Sequence, residues 1–230
     1  MGKIGIIVAM DEEWEAVARI MKDTKNEEIK NLNFLIGEIE KKQCVLVKSG
    51  VGKVNAARTT QVMIDYFELE YIINLGSAGA INEQLEIGDV LIGKKVVQHD
   101  FDITAFGHSK GYITGVGDYI ECDRILIEEF KELLNNISEK NYKIIVGTVA
   151  TGDVFCSEVA MKDNIRANFN ADVVDMECGA IAQVAYLNDI PFIVVRSISD
   201  TPNGKNASTF DENLALASKR SANIFKEFLG

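Results

Sequence analysis

The 230-residue sequence is poor in the residues that most metal sites and nucleophile systems use. It has two histidines, His99 and His108, and neither has a neighbouring carboxylate at metal-ligand spacing. The cysteines are scattered without a CxxC pair, at Cys44, Cys122, Cys156 and Cys178. A metal centre is therefore not expected, and a Ser–His–Asp or Cys–His nucleophile has no local support. Any catalysis by this chain falls to carboxylates.

Positive charge and long apolar runs are also scarce. The chain has 24 Lys and Arg against 35 Asp and Glu, which gives a net charge of −11. Because phosphate backbones are bound by neutralising cations, a nucleic-acid partner is not expected. The longest apolar runs, such as residues 190–195, are too short to cross a bilayer, and the N-terminus lacks the order of a signal peptide. We expect a cytoplasmic protein with reduced cysteines and no membrane partner.

What the sequence does contain is an alternation of apolar, β-branched runs with segments of helical period. This pattern predicts βαβ units around a largely parallel sheet, in a single α/β domain over residues 1–230. The predicted strands cover residues 4–9, 34–39, 44–49, 71–75, 90–97, 143–150, 171–174 and 192–198. The predicted helices cover residues 11–21, 53–67, 125–136, 177–188 and 211–229. Residues 100–119 hold four glycines and no clear period, so they are expected to form a long surface loop.

Acidic residues follow several of the predicted strands, at the edge where open α/β sheets bind ligands. They are Glu12, Glu13, Asp175, Glu177 and Asp200. Each one alone is explained as a helix cap or a turn residue. Acids at the ends of three separate strands, taken together, indicate a site at one edge of the sheet.

Two glycine-containing segments also follow strands. SGVGK at 49–53 lacks the earlier glycine and the following Ser or Thr of a phosphate-binding P-loop, so we interpret it as a turn that opens a helix. GSAG at 76–79 fits a tight turn and a ligand-facing loop equally well.

Nine motifs occur in order along the chain: KIGII at 3–7, AMDEE at 9–13, KSGVGKV at 48–54, INLGSAG at 73–79, DITAFG at 102–107, TGDVF at 151–155, DME at 175–177, RSISD at 196–200 and STFDE at 208–212. With these motifs the chain resembles, nearly end to end, the 5′-methylthioadenosine/S-adenosylhomocysteine nucleosidases of the purine nucleoside phosphorylase-like superfamily. The resemblance implies a three-layer α/β/α sandwich around a central mixed, twisted sheet, and a homodimer. It also implies hydrolysis of the N-glycosidic bond of an adenine nucleoside, with water and without a cofactor or metal, in methionine salvage.

The resemblance further implies roles for individual residues. Glu13 matches the residue that activates the attacking water, and Asp200 matches the acid that protonates adenine N7. Glu177 matches the residue that holds the ribose hydroxyls. The other residues that the resemblance places around the substrate are Met10, Val51, Ser77, Phe155, Cys156, Asp175, Met176, Arg196, Ser199 and Phe210, together with Phe106 from the neighbouring subunit.

Those residues are matched to different parts of the nucleoside. Phe155 would stack on adenine, and the backbone of Cys156 would read the purine edge. Met176 would pack on the sugar, while Ser77 and Arg196 would lie near the water and the ribose. The 5′-substituent pocket would be lined by Met10, Val51, Phe106 and Phe210. Departures from the family pattern at Ala80, Cys156 and Asp175 bear on the 5′-group rather than on the reaction.

The chemistry explains why two carboxyl groups are needed. Breaking the ribosyl–adenine bond leaves positive charge on the sugar and sends electrons into the purine. Asp200 suits N7 protonation if burial keeps its carboxyl protonated, and Ser199 supports its orientation. Glu13, on the other face of the sugar, would order water and would be stabilised in its ionised form by the helix N-terminus. Inverting glycoside hydrolysis is the analogy.

Three alternatives remain open from the sequence. A nucleoside phosphorylase would need a cationic phosphate pocket, whereas the first loop here carries Asp11, Glu12 and Glu13. An aminodeoxyfutalosine hydrolase of menaquinone synthesis would use nearly the same residues. A catalytically silent nucleoside-binding protein would not need a water-activating acid.

Overall fold

The computed structural model describes residues 2–136, 142–201 and 210–230. Ten strands form one sheet. In chain order they are β1 (Lys3–Val8), β2 (Lys22–Ile29), β3 (Leu32–Ile39), β4 (Lys42–Lys48), β5 (Leu69–Ala80), β6 (Val90–Gln98), β7 (Ile120–Glu121), β8 (Ile144–Thr151), β9 (Val173–Asp175) and β10 (Phe192–Asp200).

The sheet is mixed. Adjacent strands follow the order β10-β6-β8-β9-β5-β1-β4-β3-β2, and β7 pairs with β6. Pairings of β1 with β4 and β5, of β5 with β10, and of β8 with β6 and β9 are parallel. The hairpins β2–β3–β4 and the pairs β5–β9 and β10–β6 are antiparallel. The largely parallel sheet predicted from the apolar runs is therefore wrong, whereas the mixed α/β fold is confirmed.

The long strand β5 explains how the sheet closes on itself. Its middle pairs with both β1 and β10, and its last two residues pair with β9. Because β10 also pairs with β6, the strands β5, β10, β6, β8 and β9 form a closed ring. The carboxyl ends of β1, β5, β8, β9 and β10 consequently meet in one region.

Helices cover the sheet. They are α1 (Asp11–Ala18), α2 (Lys53–Tyr66), α3 (Arg124–Asn136), α4 (Val159–Phe169), α5 (Cys178–Leu187) and α6 (Phe210–Leu229). Helix α2 packs on α5, α1 packs on α6, and α6 lies against β5 and β10. The main core contains fully buried Ile, Val, Leu and Phe side chains of the central strands, and a smaller cluster lies beneath α4.

The structure adds two strands and one α-helix that the sequence pattern did not predict: β2, the two-residue β7 and α4. Strand β2 is exposed along almost its whole length and pairs on one side with β3, so its charged sequence has no apolar alternation. Helix α4 buries Lys162, Ile165 and Phe169 on one face, and the lysine interrupts the apolar stripe. Residues 100–119 form the expected loop, with a short 3₁₀ helix at Thr104–Phe106.

Across the described residues, no helix is both long and apolar enough to cross a membrane.

Candidate active site

A cavity of about 210 Å³ lies where the carboxyl ends of β1, β5, β8, β9 and β10 meet. Residues from six separate chain segments line it: Ala9, Met10, Glu13, Val51, Ser77, Ala78, Gly79, Val154, Phe155, Cys156, Val174, Asp175, Met176, Glu177, Ser199 and Asp200. The set includes eleven of the fourteen residues implied by the sequence resemblance, among them both Glu13 and Asp200. Of the other three, Arg196 and Phe106 lie outside the cavity, and the side chain of Phe210 lies outside the described residues.

Glu13 is buried on the first turn of α1 and is fixed by four donors. Its Oε2 accepts the backbone N–H groups of Ala9 at 2.8 Å and Met10 at 3.1 Å. Its Oε1 accepts the backbone N–H of Ser77 at 2.9 Å and the Ser77 hydroxyl at 3.3 Å. The carboxylate is therefore held between the end of β1 and the middle of the β5 GSAG segment, with one weak contact on the Ser77 side.

The GSAG segment is part of strand β5, and its glycines allow both acids to approach the backbone closely. A Cβ at Gly76 would lie 2.6 Å from Glu13 Oε1 and would also meet the Arg196 guanidinium. A Cβ at Gly79 would lie 2.8 Å from Asp200 Oδ2. Both distances are well inside van der Waals contact, so this segment lines the site and needs glycine for space.

Asp200 ends strand β10 and is buried in the cavity wall. Its Oδ2 accepts a hydrogen bond from the ammonium of Lys162 at 2.9 Å, and its Oδ1 accepts the Ser199 hydroxyl at 3.2 Å. The sequence predicted a buried acid at this strand end, and the structure also places the Lys162 ammonium beside it, as a positive charge that attracts negative charge on the carboxyl group.

Glu177 lies at the N-terminus of α5 and accepts the backbone N–H of Gly52 at 2.8 Å. Burial and, secondly, the neighbouring Asp175 carboxylate raise the pKa of its carboxyl to about 7, against the opposing effects of Arg196 and the Gly52 N–H. A carboxyl with this pKa changes its charge near neutral pH.

Asp175 and Arg196 form a fully buried ion pair beneath the cavity floor. Arg196 Nη2 donates to Asp175 Oδ2 at 2.7 Å and to Asn74 Oδ1 at 2.6 Å. Burial works against the charged form of Asp175, but Arg196 and hydrogen bonds from Thr151 and Cys178 hold its pKa below the ordinary value. Arg196 is 1% exposed and does not reach the cavity surface, so its position fits support of the wall.

The apolar side of the cavity contains Met10, Val51 and Phe155, as the resemblance implied. Cys156 also lines it, and burial raises the pKa of its thiol to about 11, so the thiol is neutral at ordinary pH. Phe106 is 82% exposed on the 3₁₀ helix and lies outside the cavity of its own chain.

The side chain of Phe210, at the start of α6, lies outside the described residues, as do Ser208 and Thr209 of the STFDE motif.

Lys162 is the site residue that the sequence interpretation missed. It lies on α4, an element that was not predicted, and reaches Asp200 from 38 positions away in the chain. A signal was present, because Lys162, Ile165 and Phe169 recur at helical spacing and a lysine occupies an apolar position in that series. A lysine in an apolar stripe predicts a buried acidic partner.

The described side chains contain no group of three or more His, Cys, Asp or Glu arranged to hold a metal ion.

Comparisons with known proteins agree with this geometry. Residues 3–230 match the model of the phosphorylase superfamily. A 5′-methylthioadenosine/S-adenosylhomocysteine nucleosidase of Marinomonas sp. strain MWYL1 is 39% identical over 230 residues, covering 100% of this chain and 99% of that protein.

Solved structures extend the likeness. The S-adenosylhomocysteine nucleosidase of Streptococcus pyogenes, in complex with 5-methylthiotubericidin, is 40% identical with a TM-score of 0.93, covering 99% of this chain and 96% of that one. Futalosine hydrolase of Helicobacter pylori strain 26695 is 31% identical with a TM-score of 0.93, covering 99% and 97%. The chain belongs to the phosphorylase superfamily and, within it, to the 5′-methylthioadenosine/S-adenosylhomocysteine nucleosidases.

Proposed function

We propose that this protein hydrolyses the N-glycosidic bond of 5′-methylthioadenosine and S-adenosylhomocysteine, releasing adenine and the 5′-substituted ribose. The observation that carries the proposal is one cavity lined by two buried carboxyl groups, Glu13 and Asp200, held on different elements. The whole-length identity to nucleosidases supports the substrate class. 5′-Deoxyadenosine, which has the same base and sugar, is a further candidate substrate.

Glu13 is proposed to activate the attacking water. A carboxylate offers about four lone-pair sites, and protein donors already use them, two on each oxygen. The Ser77 hydroxyl makes the longest of these contacts, at 3.3 Å, and a hydroxyl rotates freely. Water bound on this side would replace that contact, leaving the Ser77 hydroxyl available to the water or the ribose.

Asp200 is proposed to be the general acid. As the C1′–N9 bond breaks, its electron pair enters the purine and the Asp200 proton moves to N7, so adenine leaves uncharged. Water adds to C1′ and gives its proton to Glu13. Each correctly placed acid or base of this kind supplies roughly 10²–10⁴ in rate.

Glu177 is proposed to accept hydrogen bonds from the ribose hydroxyls, which makes substrate capture dependent on pH. Since its ionised form is the better acceptor and its pKa is raised to about 7, kcat/KM should fall as the pH drops below about 7. Glu177→Gln should lower kcat/KM and flatten this acid limb. Initial rates between pH 5 and 8 measure it, with the exposed Glu12→Gln as control. An unchanged acid limb in Glu177→Gln would contradict the assignment.

The phosphorylase alternative is distinguished by phosphate dependence. None of the described residues that line the cavity is a lysine or an arginine, and a bound phosphate needs such a cation. Chromatography of free adenine from methylthioadenosine in phosphate-free buffer tests the proposal. Full turnover without phosphate and free methylthioribose as product are expected. Strict dependence on phosphate, with a sugar phosphate as product, would overturn hydrolysis.

The similarity to a solved futalosine hydrolase supports the aminodeoxyfutalosine alternative. Both activities need an adenine site and a water-activating acid, so the 5′-substituent decides between them. The apolar residues Met10 and Val51 favour an uncharged thioether. The relative kcat/KM for methylthioadenosine and aminodeoxyfutalosine measures this preference, and we expect the thioether to be favoured.

We also propose a homodimer in which Phe106 completes the partner's site. Support comes from Val54 and Phe106, two large apolar side chains that are mostly exposed in this chain and would be buried by a partner. A solution mass of two chains supports this, and a mass of one chain at working concentration contradicts it. The cytoplasm is the proposed location, since the four cysteines are free thiols.

A further inference from the structure

Lys162 is buried where an unpaired lysine would be strongly disfavoured. Its side chain is 2% exposed, and its ammonium donates to Asp200 Oδ2 at 2.9 Å and to the backbone carbonyl of Thr201 at 3.0 Å. Taking two charges out of water costs several kcal/mol per ion, and apolar residues of similar volume often give equal stability. A stabilising role alone therefore does not account for a buried lysine that is paired with an acid lining the cavity.

The acid of the Lys162–Asp200 pair lines the cavity and its cation does not, as in the Asp175–Arg196 pair. What distinguishes Asp200 is its proposed role, because it is the acid that gives up a proton during the reaction. We propose that Lys162 is a positioning residue that stabilises the carboxylate left on Asp200 when its proton moves to the purine. This inference rests on the proposed role of Asp200 as the general acid.

The proton transfer explains the effect. Before reaction Asp200 carries a proton, and when the C1′–N9 bond breaks that proton moves to purine N7 and leaves a carboxylate. The ammonium of Lys162 keeps its own protons throughout and stabilises the negative charge that develops on Asp200. Lys162 should therefore accelerate the chemical step when the leaving group needs a proton.

Among the residues that the structure describes, Lys162 is the charged partner of Asp200. Ser199 donates its hydroxyl to Asp200 Oδ1, and Gly79 of β5 leaves space beside Oδ2. Cys156, on the loop before α4, is the titratable neighbour that feels both charges, and its thiol is neutral over the working range. From α6, Asn213 donates to the backbone carbonyl of Ser199 and carries no charge.

Lys162→Met tests the proposal through the rate of adenine release. Its kcat should fall about tenfold, because the carboxylate that forms on Asp200 loses the cation beside it. Lys162→Arg keeps the charge and should keep most of the original kcat. An unchanged kcat in folded Lys162→Met would overturn the proposal.

A matched control and a second substrate separate this effect from damage to the fold. Arg166→Met removes the cation one turn further along α4, which pairs with Asp172, and should leave kcat unchanged. A 4-nitrophenyl 5-methylthioriboside releases nitrophenolate without a proton, so Lys162→Met should keep near-original turnover on it. A comparable loss on both substrates would mean a structural role and overturn the proposal. Should Lys162→Met fail to fold, Lys162→Gln carries the same test.

Failure of this inference is distinguishable from failure of the proposed function. If Asp200→Asn abolishes adenine release while Lys162→Met leaves kcat unchanged, the acid assignment stands and the role of Lys162 is rejected. If Asp200→Asn releases adenine at the normal rate, the acid assignment itself is wrong.

Discussion

Asp200→Asn should lower kcat for adenine release by about 10²–10⁴-fold while changing the Kd of a non-hydrolysable adenine nucleoside by only a few-fold. The amide has the size of the carboxyl and still offers an oxygen to Lys162, but it is not a proton donor of useful acidity. Its loss affects the transition state, where N7 gains a proton, more than the bound ground state. Single-turnover kinetics and calorimetric titration measure the two quantities separately.

The same substitution should lower stability, because it leaves the buried Lys162 ammonium without a carboxylate. A hydrogen bond to a neutral oxygen replaces a charged one, at a cost of about 1–3 kcal/mol. In a chain of this length that corresponds to a fall in Tm of about 2–12 °C. Asp172→Asn, which weakens a pair with Arg166 outside the cavity, is the matched control and should leave kcat unchanged. Near-normal kcat in folded Asp200→Asn would contradict the acid role.

The fold was predictable where the chain buries continuous apolar strands. Residues 90–97 and 192–198 were predicted as strands from their β-branched runs, and both lie inside β6 and β10. Strand β2 was not predictable in this way, since it is stabilised by backbone pairing with β3 at an exposed edge rather than by burial of its side chains. The closed ring of strands could not be predicted either, because it depends on β5 pairing with three other strands.

The candidate site was predictable to the extent that its residues follow strands. Glu13, Glu177 and Asp200 were selected because parallel strand ends converge, and the structure places all three around one cavity. The sequence did not decide whether the GSAG segment forms a tight turn or a ligand-facing loop, because its close contacts with Glu13 and Asp200 join residues more than 60 positions apart. Such long-range contacts cannot be predicted from the local sequence.

The charged surroundings of the acids were the least predictable property. Asp200 was expected in a dry site, but the ammonium of Lys162 reaches it from a helix that the pattern did not reveal. Glu177 taken alone was explained as a capping acid, but burial and the neighbouring Asp175 carboxylate raise its pKa to about 7. Charge states in a buried site depend on which elements pack together, and that is a tertiary property.

Glu13→Gln should produce the second large loss, about 10²–10⁴-fold in kcat. Glu13 acts as an acceptor in all four of its hydrogen bonds, from Ala9 and Met10 on one oxygen and from Ser77 on the other. An amide placed here must turn its NH₂ group toward one of these donor sets. One backbone N–H or more is then left unpaired, at about 1–3 kcal/mol, and the group that would take a proton from water is lost.

Asp200→Asn and Glu13→Gln should differ in their turnover of a substrate with another leaving group. A 4-nitrophenyl 5-methylthioriboside needs no proton on its leaving group, so Asp200→Asn should recover most of its turnover on this substrate. Water must still be oriented and deprotonated, so Glu13→Gln should stay impaired on both substrates. Glu12→Gln, on the exposed face of the same helical turn, controls for a change in local charge. Recovery of Glu13→Gln alongside Asp200→Asn would show that Glu13 does not activate water, since nucleophile activation is required whatever group departs.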